Sequence, residues 1–481
     1  MQWAIRVKRV LALFLAIMPL ESPTKAAPPD GSDTPIAALQ SLTIEPDRIE
    51  LYGSNRQQQL LITGWPAIGQ PIDVTHLCTV VSSDPSVLAV SGGRVQGIRD
   101  GEASIRVSLG KCTTNVAATI RNFTVSPPVH FANDVMPLFS KLGCNSGGCH
   151  GKASGQNGFK LSVFGFDPEA DYNAIVKESR SRRVFPAAPE HSLLLLKPTG
   201  KISHGGGRRL EAGSPDYLLL RDWLTQGTPV GQSNGPLLVA LHVSPTERIL
   251  ALKARQQILA TALYSDGSRR DVTAAASYTS NADHVAAVDG HGLAQIGATP
   301  GEGAITVNYM GQVAAVLLQA PRPDAPNPYP VLPTHNKIDE FAWSKLKTMG
   351  IVPSELCEDT VFLRRAYVDV LGTLPRPGEV RAFLAEPGEP GALATGDASA
   401  TRAKRAQWID KLLERPEYAD YWALQWADLL LVNRDKLGDR GAFEMHRWLR
   451  SQLARNRPYD EWARDVITAS GSSSRIGPVN F

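Results

Sequence analysis

Alternating apolar and polar residues mark two separate stretches of the chain, each of about 80 residues. Residues 105–107 are Ile-Arg-Val and residues 305–307 are Ile-Thr-Val, a period of two that predicts half-buried strands. Gly, Asp, Asn and Pro separate further short runs of this kind, which is typical of β-sandwiches. We therefore predict two β-sandwich domains, at residues 39–125 and 237–320.

The two stretches contain the same sequence blocks in the same order. Residues 73–75, 82–90 and 97–107 correspond to residues 271–273, 280–288 and 297–307. These blocks resemble those of bacterial Ig-like group-two domains, which carry D-V-T, S-x-x-x-x-V-A-x-V and G-x-A-x-I-x-V. The resemblance implies an immunoglobulin-like sandwich in each copy, acting as a spacer or adhesive module at the cell surface.

Helical spacing appears between the two copies, in residues 128–233. Apolar residues recur at helical intervals over residues 131–142. Asp167 and Ser214 each precede a proline, which is typical of a helix N-cap, and Gly227 is placed to end the last helix. That last helix has an apolar face available to cover a bound group: Tyr217, Leu218, Leu220, Trp223 and Leu224.

The segment with the most specific chemistry follows the first of these helices. Residues 144–150 are Cys-Asn-Ser-Gly-Gly-Cys-His, two thiols and then an imidazole. This order attaches haem c: each thiol adds to a porphyrin vinyl group, and the adjacent histidine binds the iron. We therefore predict Cys144 and Cys149 as the thioether residues and His150 as the proximal iron ligand. The spacer has four residues instead of two, and its Gly-Gly pair allows the longer loop to fold tightly.

Two other structures are compatible with the same cysteines. Cys144 and Cys149 could close a small disulfide loop, which would leave His150 without a role. They could also supply half of a zinc site, but the remaining cysteines lie far away in the sequence.

The order of elements in residues 128–233 resembles the cytochrome c-like domains of planctomycete and verrucomicrobial cell-surface proteins. In those domains a first helix leads to the haem cysteines and histidine, and a last helix ends near W-[IL]-x-x-G, here residues 223–227. The resemblance implies a mainly α-helical cytochrome c-like domain with covalent haem c. That family usually has a two-residue spacer between the cysteines, so this chain departs from it at the attachment site.

The distal iron ligand is predicted by elimination. Methionine is a common partner of histidine in cytochromes c, but no Met lies between His150 and Gly227. We predict His204, because it lies in a glycine-rich loop where the resembling domains carry their distal ligand. An open or water-ligated iron is the alternative, and we expect His191 to lie on the surface. Ligation by two histidines would lower the reduction potential relative to His/Met ligation.

Two groups of arginines lie near this region of the sequence. Arg208 and Arg209 could neutralise the haem propionates, or they could be solvated loop charges. Arg180, Arg182 and Arg183 are expected to form a solvated helix end.

The first β-sandwich copy contains two cysteines that have no counterpart in the second. We predict that Cys78 and Cys112 form a disulfide between two strands, with two buried free thiols as the alternative. A closed loop of this length would contribute on the order of 3–4 kcal/mol. Cys357 is expected to be a small buried hydrophobic residue.

The C-terminal third is predicted to be helical. Residues 321–333 form a proline-rich linker, and residues 334–481 form an all-α domain. Residues 363–375, 408–418 and 456–460 resemble an α-helical domain of unknown function that follows the cytochrome domain in the same surface proteins. In that family a further domain usually follows, so we expect the chain to be a fragment.

The N-terminus and the overall charge indicate where the protein acts. Residues 1–27 have a basic start, a short apolar run and then small residues, the layout of a signal peptide, with an uncleaved anchor as the alternative. No later segment is apolar enough to span a membrane. The net charge of +3 gives no attraction to nucleic acid.

We therefore predict two β-sandwich Ig-like domains flanking a mainly α cytochrome c-like domain, followed by an all-α C-terminal domain. The expected function is that of an exported haem c protein, periplasmic or at the cell surface, which transfers electrons with an unknown redox partner. The Ig-like domains would contact the cell wall or surface partners.

Two other functions stay open. In a redox-linked enzyme, Asp369, Asp428 and His446 would offer acid/base groups, although their spacing forms no recognisable triad or metal set. In a surface adhesion protein, the cysteines would be bridged without haem.

Overall fold

The computed structural model describes residues 39–53, 56–124, 129–231, 235–386 and 398–481, without the side chains of residues 398–401. The predicted signal peptide at residues 1–27 lies outside these ranges. The chain divides into two compact units, one ending at Val352 and the other comprising Pro353–Phe481.

Within residues 39–53 and 56–124, the first β-domain forms ten strands in three sheets. The strands are β1 (Leu39–Glu45), β2 (Arg48–Tyr52), β3 (Gln57–Gln59), β4 (Leu61–Pro66), β5 (Ile72–Asp73), β6 (Thr79–Ser82), β7 (Leu88–Ser91), β8 (Arg94–Gly97), β9 (Gly101–Leu109) and β10 (Cys112–Arg121). The sheet orders are β1-β4-β5, β2-β10-β9-β6 and β3-β8-β7. Ile105, Val107 and Val116 on the β9–β10 hairpin are buried, because every second side chain of a strand faces the same side.

The second β-domain has the same arrangement. Its strands are β11 (Leu238–Ser244), β12 (Glu247–Ile249), β13 (Arg255–Gln257), β14 (Leu259–Tyr264), β15 (Arg269–Asp271), β16 (Ser277–Ser280), β17 (Ala286–Val288), β18 (Leu293–Ile296), β19 (Gly301–Tyr309) and β20 (Gln312–Ala320). The orders β11-β14-β15, β12-β20-β19-β16 and β13-β18-β17 repeat those of the first domain. The predicted pair of β-domains is confirmed.

Two carboxylates join these β-domains reciprocally. Asp73 of the first domain accepts the backbone N–H of Gln257, and Asp271 of the second accepts that of Gln59, both at 2.5 Å. The other oxygen of each carboxylate accepts the N–H of the threonine two residues later, at 2.8 Å. Burial raises the pKa of both aspartates. We call Asp73, Gln257, Asp271 and Gln59 the aspartate clasp.

The middle domain lies between the two β-domains in sequence; its regular structure is helical, but loops and turns make up more than half of its described residues. Its helices are α1 (Met136–Lys141), α2 (Pro168–Tyr172), α3 (Leu193–Leu196) and α4 (Pro215–Thr225). Turns of π- and 3₁₀-helix cover Phe131–Val135, Val163–Gly165, Asn173–Lys177, Glu178–Ser181 and Pro189–His191. The predicted N-caps are confirmed: Asp167 accepts the N–H of Ala170 at 3.1 Å, and Ser214 that of Tyr217 at 3.2 Å.

The first and last residues of the middle domain are bonded to each other. Phe131 N–H donates to Val230 O at 3.2 Å. At Gly231, where φ is +104°, a Cβ atom would lie 2.2 Å from Cδ2 of His130, so only glycine fits this exit from the domain. The middle domain therefore begins and ends at neighbouring positions in the structure.

The start of the middle domain is tied to both β-domains. The Tyr309 hydroxyl of the second domain donates to Asn133 O at 3.0 Å and lies 3.1 Å from the Tyr264 hydroxyl. Arg56 of the first domain forms a 3.5 Å ion pair with Asp134. These contacts fix the helical segment that leads to residue 144.

One helix follows the second β-domain within the same unit. It is α5 (Lys337–Met349), and residues 321–336 before it contain neither helix nor strand. Arg322 N–H donates to Met349 O at 3.0 Å. Lys345 on this helix also forms an ion pair with Glu302.

The second unit is helical, as predicted. Its helices are α6 (Asp359–Leu371), α7 (Pro377–Ala385), α8 (Ala398–Leu413), α9 (Pro416–Leu429), α10 (Arg434–Ala454) and α11 (Tyr459–Thr468), followed by a 3₁₀ turn at Gly477–Asn480. Aromatic rings pack between them, with Trp426 and Trp462 at 4.8 Å between centroids. In the described part of the chain, no helix is both long and apolar enough to cross a membrane.

Candidate functional site

The loop that carries the cysteines and the histidine follows α1 directly. Cys149 N–H donates to Ser146 O at 2.9 Å, and His150 N–H donates to Cys144 O at 3.0 Å. The four-residue spacer is therefore a compact turn closed by its own backbone, as its small residues predict.

The residue after His150 has to be glycine. A Cβ atom on Gly151 would lie 2.1 Å from the carbonyl oxygen of Asn145, far inside van der Waals contact. Asn145 is itself fixed, because it is buried and its amide donates to Ser140 Oγ at 2.8 Å. The chain can therefore fold back on the loop only without a side chain at position 151.

The imidazole of His150 is oriented by one backbone carbonyl. Nδ1 lies 2.9 Å from Phe159 O, and a carbonyl can only accept, so Nδ1 carries the hydrogen and Nε2 of the neutral ring keeps its lone pair. Burial is the largest influence on this group and lowers the pKa of His150, which favours the neutral ring. Metal-binding histidines commonly have this arrangement.

The carbonyl that orients His150 belongs to a four-residue hairpin. Gln156 and Phe159 exchange backbone hydrogen bonds of 2.9 and 3.0 Å. Asn157 and Gly158 between them have φ of 50° and 72°, as in a type I′ turn. The Phe159 ring lies 4.4 Å from the His150 ring between centroids. We call this segment the 156–159 hairpin.

Most of the side chains predicted to bind haem line one cavity of about 510 Å³. Cys144, Cys149, His150, His204 and Arg209 all line it. Its apolar wall includes Phe139, Phe159, Leu193, Leu194 and Pro198. The volume lies in the range of cofactor and ligand pockets.

The charged part of the cavity wall is cationic. Arg182, Arg183, Lys197 and Arg209 line it, and among the described residues no Asp or Glu does. Such a wall favours an anionic group. Of these four, only Arg209 is predicted from the sequence to contact a bound group; Arg182 and Arg183 are predicted at a solvated helix end, because the charge pattern alone does not show which loop residues face inward.

The second predicted imidazole also has its Nδ1 occupied. His204 Nδ1 lies 2.8 Å from Gly207 O, which leaves Nε2 available. Arg208 does not line the cavity and instead forms an exposed ion pair with Glu211. His191 is exposed in a 3₁₀ turn, as expected.

One expectation about the arginines was wrong. Arg183 is only 8% exposed, whereas Arg180 and Arg182 are exposed, as predicted for a solvated helix end. Its guanidinium donates to the backbone carbonyls of Ala174 and Gly158 and lies over the Phe159 ring. Burial lowers the pKa of this arginine, and the charge of Glu178 opposes that effect. The sequence Ser-Arg-Ser-Arg-Arg contains no signal that separates this arginine from its neighbours.

The predicted role of the last helix of the middle domain also needs correction. The apolar face of α4 packs into the domain core, where Trp223 is fully buried and lies 5.4 Å from the Phe131 ring. No described residue of α4 lines the cavity. The helix therefore supports the site from the core and does not cover it.

All five cysteines are free thiols in this structure. Burial and then the neighbouring Cys149 raise the pKa of Cys144 to about 12. Burial, with Asp73 adding to it, raises the pKa of Cys78 to about 11. The Cys112 sulfur lies 3.4 Å from Leu39 O. Cys112 begins β10 and Cys78 directly precedes β6, and β9 lies between these two strands in the sheet. The two cysteines are therefore not on neighbouring strands.

The other proposed acid/base groups are not brought together. Asp369, Asp428 and His446 lie on α6, α9 and α10, and no hydrogen bond or ion pair within residues 353–386 and 398–481 joins them. In the part of the chain that the structure describes, no group of three or more His, Cys, Asp and Glu side chains is arranged to hold a metal ion.

A protein-family model matches the C-terminal region. The model described as PSCyt2, a protein of unknown function (DUF1549), matches residues 337–476. The predicted domain of unknown function is therefore confirmed there.

Comparisons with individual proteins cover less. A segment of 76 residues is 40% identical to Ice-binding protein 1 of Shewanella frigidimarina (strain NCIMB 400), covering 16% of this chain and 8% of that protein. Domains 5–6 of the S-layer protein SbsC align at a TM-score of 0.24 with 9% identity, over 59% of this chain and 98% of that one. InvD of Yersinia pseudotuberculosis aligns at 0.13 with 12% identity, over 58% and 57% of the two chains.

Proposed function

We propose that this protein is an exported c-type haem protein that transfers electrons. The observation that supports the proposal is a single cavity lined by two thiols and two imidazoles, Cys144, Cys149, His150 and His204. Both imidazoles bind a backbone carbonyl through Nδ1, so both have Nε2 free for a metal.

These residues fit covalent attachment. Each cysteine S–H would add across one vinyl double bond of the porphyrin, with sulfur on one carbon and hydrogen on the other, so the step needs no oxidant or reductant. His150 would hold the iron from the proximal side and His204 from the distal side. When bound, the haem iron supplies a one-electron redox couple.

The cationic wall would neutralise the haem propionates. Arg209 was predicted for this role, and Arg182 and Lys197 line the same cavity. Arg208 contributes less, because Glu211 already pairs with it.

The location and the partners follow from the rest of the chain. Residues 1–27 have the composition of a signal peptide, and the two β-domains would space the haem from the cell wall or from a surface partner. We infer a position in the periplasm or at the cell surface and a separate protein as redox partner. The family match to residues 337–476 names no activity.

A pyridine haemochrome assay tests the attachment. Protein coexpressed with the haem c maturation system is expected to keep its pigment in acidified acetone. Cys144→Ser and Cys149→Ser should each leave one thioether and shift the haemochrome band, while the double variant should lose the pigment and Cys357→Ser should behave as wild type. Matured wild-type protein that stays colourless, or releases its pigment, would refute the proposal.

The distal ligand has a separate test. His204→Ala should change the low-spin spectrum of the oxidised protein, and His191→Ala, on the exposed 3₁₀ turn, should not. An unchanged low-spin spectrum in His204→Ala would remove His204 from the site. A near-infrared band typical of methionine ligation would contradict ligation by two histidines.

A further inference from the structure

Arg183 lines the candidate haem cavity and joins the 156–159 hairpin of its wall to the turn that follows α2. Its Nη1 donates to Ala174 O at 2.8 Å, in the turn after α2, and its Nη2 lies 3.3 Å from Gly158 O in the 156–159 hairpin. The guanidinium also stacks on the Phe159 ring, 4.5 Å from its centroid. The flat guanidinium thus holds the hairpin by its backbone and by its aromatic side chain at once.

The residue that Arg183 holds is the one that orients His150. The Phe159 ring contacts the guanidinium and also the imidazole, and the Phe159 carbonyl accepts the Nδ1 hydrogen of His150. A hairpin of four residues with one bonded pair is unstable by itself. Its position therefore depends on contacts from outside, and Arg183 supplies two of them.

Arg183 has no ion-pair partner at close range. Among the described residues, no Asp or Glu oxygen forms an ion pair with its guanidinium within 4 Å, although the more distant Glu178 opposes the lowering of its pKa by burial, and the residue is 8% exposed. A buried cation close to a redox centre favours the reduced, less positive state, because repulsion grows with the charge on the centre.

We propose that Arg183 is a positioning residue for His150. It holds the 156–159 hairpin so that Phe159 O keeps the imidazole turned with Nε2 toward the cavity. Its charge also raises the reduction potential of a haem bound there. The first statement concerns the protein with or without haem, and the second rests on the proposed function.

The positioning role can be measured in protein made without haem maturation. Nitrogen NMR of the imidazole is expected to show His150 as the Nδ1–H tautomer in wild type and as a mixture of tautomers in Arg183→Gln. Arg180→Gln, at an exposed arginine that does not line the cavity, should match wild type. If folded Arg183→Gln keeps the wild-type tautomer, Arg183 does not position His150.

A conservative variant guards against a folding defect. Arg183→Lys keeps the charge but cannot stack and donate in two directions, so it should also show mixed tautomers. Hydrogen exchange of α4 reports whether each variant is folded. If Arg183→Gln unfolds, the tautomer in Arg183→Lys decides the question in the same way.

The effect of the charge needs the haem-loaded protein. The midpoint potential is expected to fall in Arg183→Gln and to stay nearer to wild type in Arg183→Lys. Equal potentials in wild type and Arg183→Gln would overturn this half of the proposal. If wild type itself takes up no haem, the proposed function fails, while the tautomer measurement still decides the positioning role.

Discussion

The two β-domains have the same ten-strand arrangement but different side chains at matched positions. Residue 109 ends β9 as leucine, while residue 309 ends β19 as tyrosine. Cys78 in the first domain corresponds to a fully buried alanine, Ala276, in the second. The shared blocks build the sheets and the aspartate clasp. Tyr309 donates to Asn133 O of the middle domain, a bond that Leu109 at the matched position has no hydroxyl to make. The matched residues therefore serve the common fold, and this unmatched residue serves contact with the middle domain.

The largest effect is expected when the shared clasp is broken. Asp73→Ala and Asp271→Ala each leave a backbone N–H of the other domain without its charged acceptor, at a cost of about 2–3 kcal/mol. Because the clasp is reciprocal, the two losses should be similar. Hydrogen exchange at the amides of Gln59 and Gln257 measures them. Asp→Asn at either position keeps an acceptor oxygen and should cost less, so an equal loss in the Asn variants would contradict the role given to these bonds.

A smaller effect is expected at the contact that the copies do not share. Tyr309→Phe removes the hydroxyl that donates to Asn133 O and should reduce the protection of residues 131–141 by about 1–2 kcal/mol. Tyr278→Phe is the matched control, because its hydroxyl donates to Thr273 O within the second β-domain. Hydrogen exchange resolved by segment distinguishes them. Loss of protection at 131–141 in the control would mean that the contact is not specific.

The stability contributions of the aspartate clasp and of Asp359 in the helical unit are expected to change with pH in opposite directions. Burial raises the pKa of Asp73 and Asp271 when the chain is folded, so the folded state binds protons more readily than the unfolded chain, whose carboxyls titrate near about 3.9. The stability contribution of the clasp should therefore rise as the pH falls through the folded pKa toward that value. Denaturant unfolding over a pH series that descends from neutral pH to about 4, compared with the Asp73→Asn/Asp271→Asn double variant, measures this rise. A clasp that weakens over this range would contradict it.

The opposite trend is expected at Asp359 in the helical unit. Burial opposes ionisation there, but hydrogen bonds from Lys404 and Arg405 outweigh it and lower the pKa of Asp359. Its contribution is present above the unfolded pKa and is lost as the pH falls through the lowered value.

The smallest effect is expected where the first domain is made like the second. Cys78→Ala should change stability by less than about 1 kcal/mol, because both Cys78 and Cys112 are free thiols in the structure. A loss of about 3–4 kcal/mol would instead reveal a bridge between them. Thiol titration of the unfolded protein before haem attachment should find all five cysteines reactive.

Local interactions could be predicted from the sequence, and distant ones could not. Ser214 caps α4 through a residue three positions away, so its role is visible in the Ser-Pro pair. Asp73 bonds Thr75 locally, but its second oxygen accepts from a residue 184 positions later. The Asp-Val-Thr block therefore predicted a β-domain without revealing that it joins the two copies.

The candidate site likewise contains residues that the sequence reveals and residues that only the folded structure brings together. Cys144, Cys149 and His150 are adjacent in sequence and could be recognised together. His204 needed elimination, and the cavity wall that holds it with them became apparent only in three dimensions. Arg183 could not be found, because its partners Ala174 and Gly158 are ordinary residues whose carbonyls carry no sequence signature.

The aspartate clasp joins a residue before the middle domain to one after it. Residues 129–231 therefore stay tethered as a ring when they lose their own fold, provided that the β-domains remain paired. An unfolded segment whose ends are held together has fewer conformations than a free chain. Refolding of the middle domain therefore does not include the entropy cost of bringing its ends together. The middle domain could therefore unfold and refold on its own without either neighbouring domain coming apart.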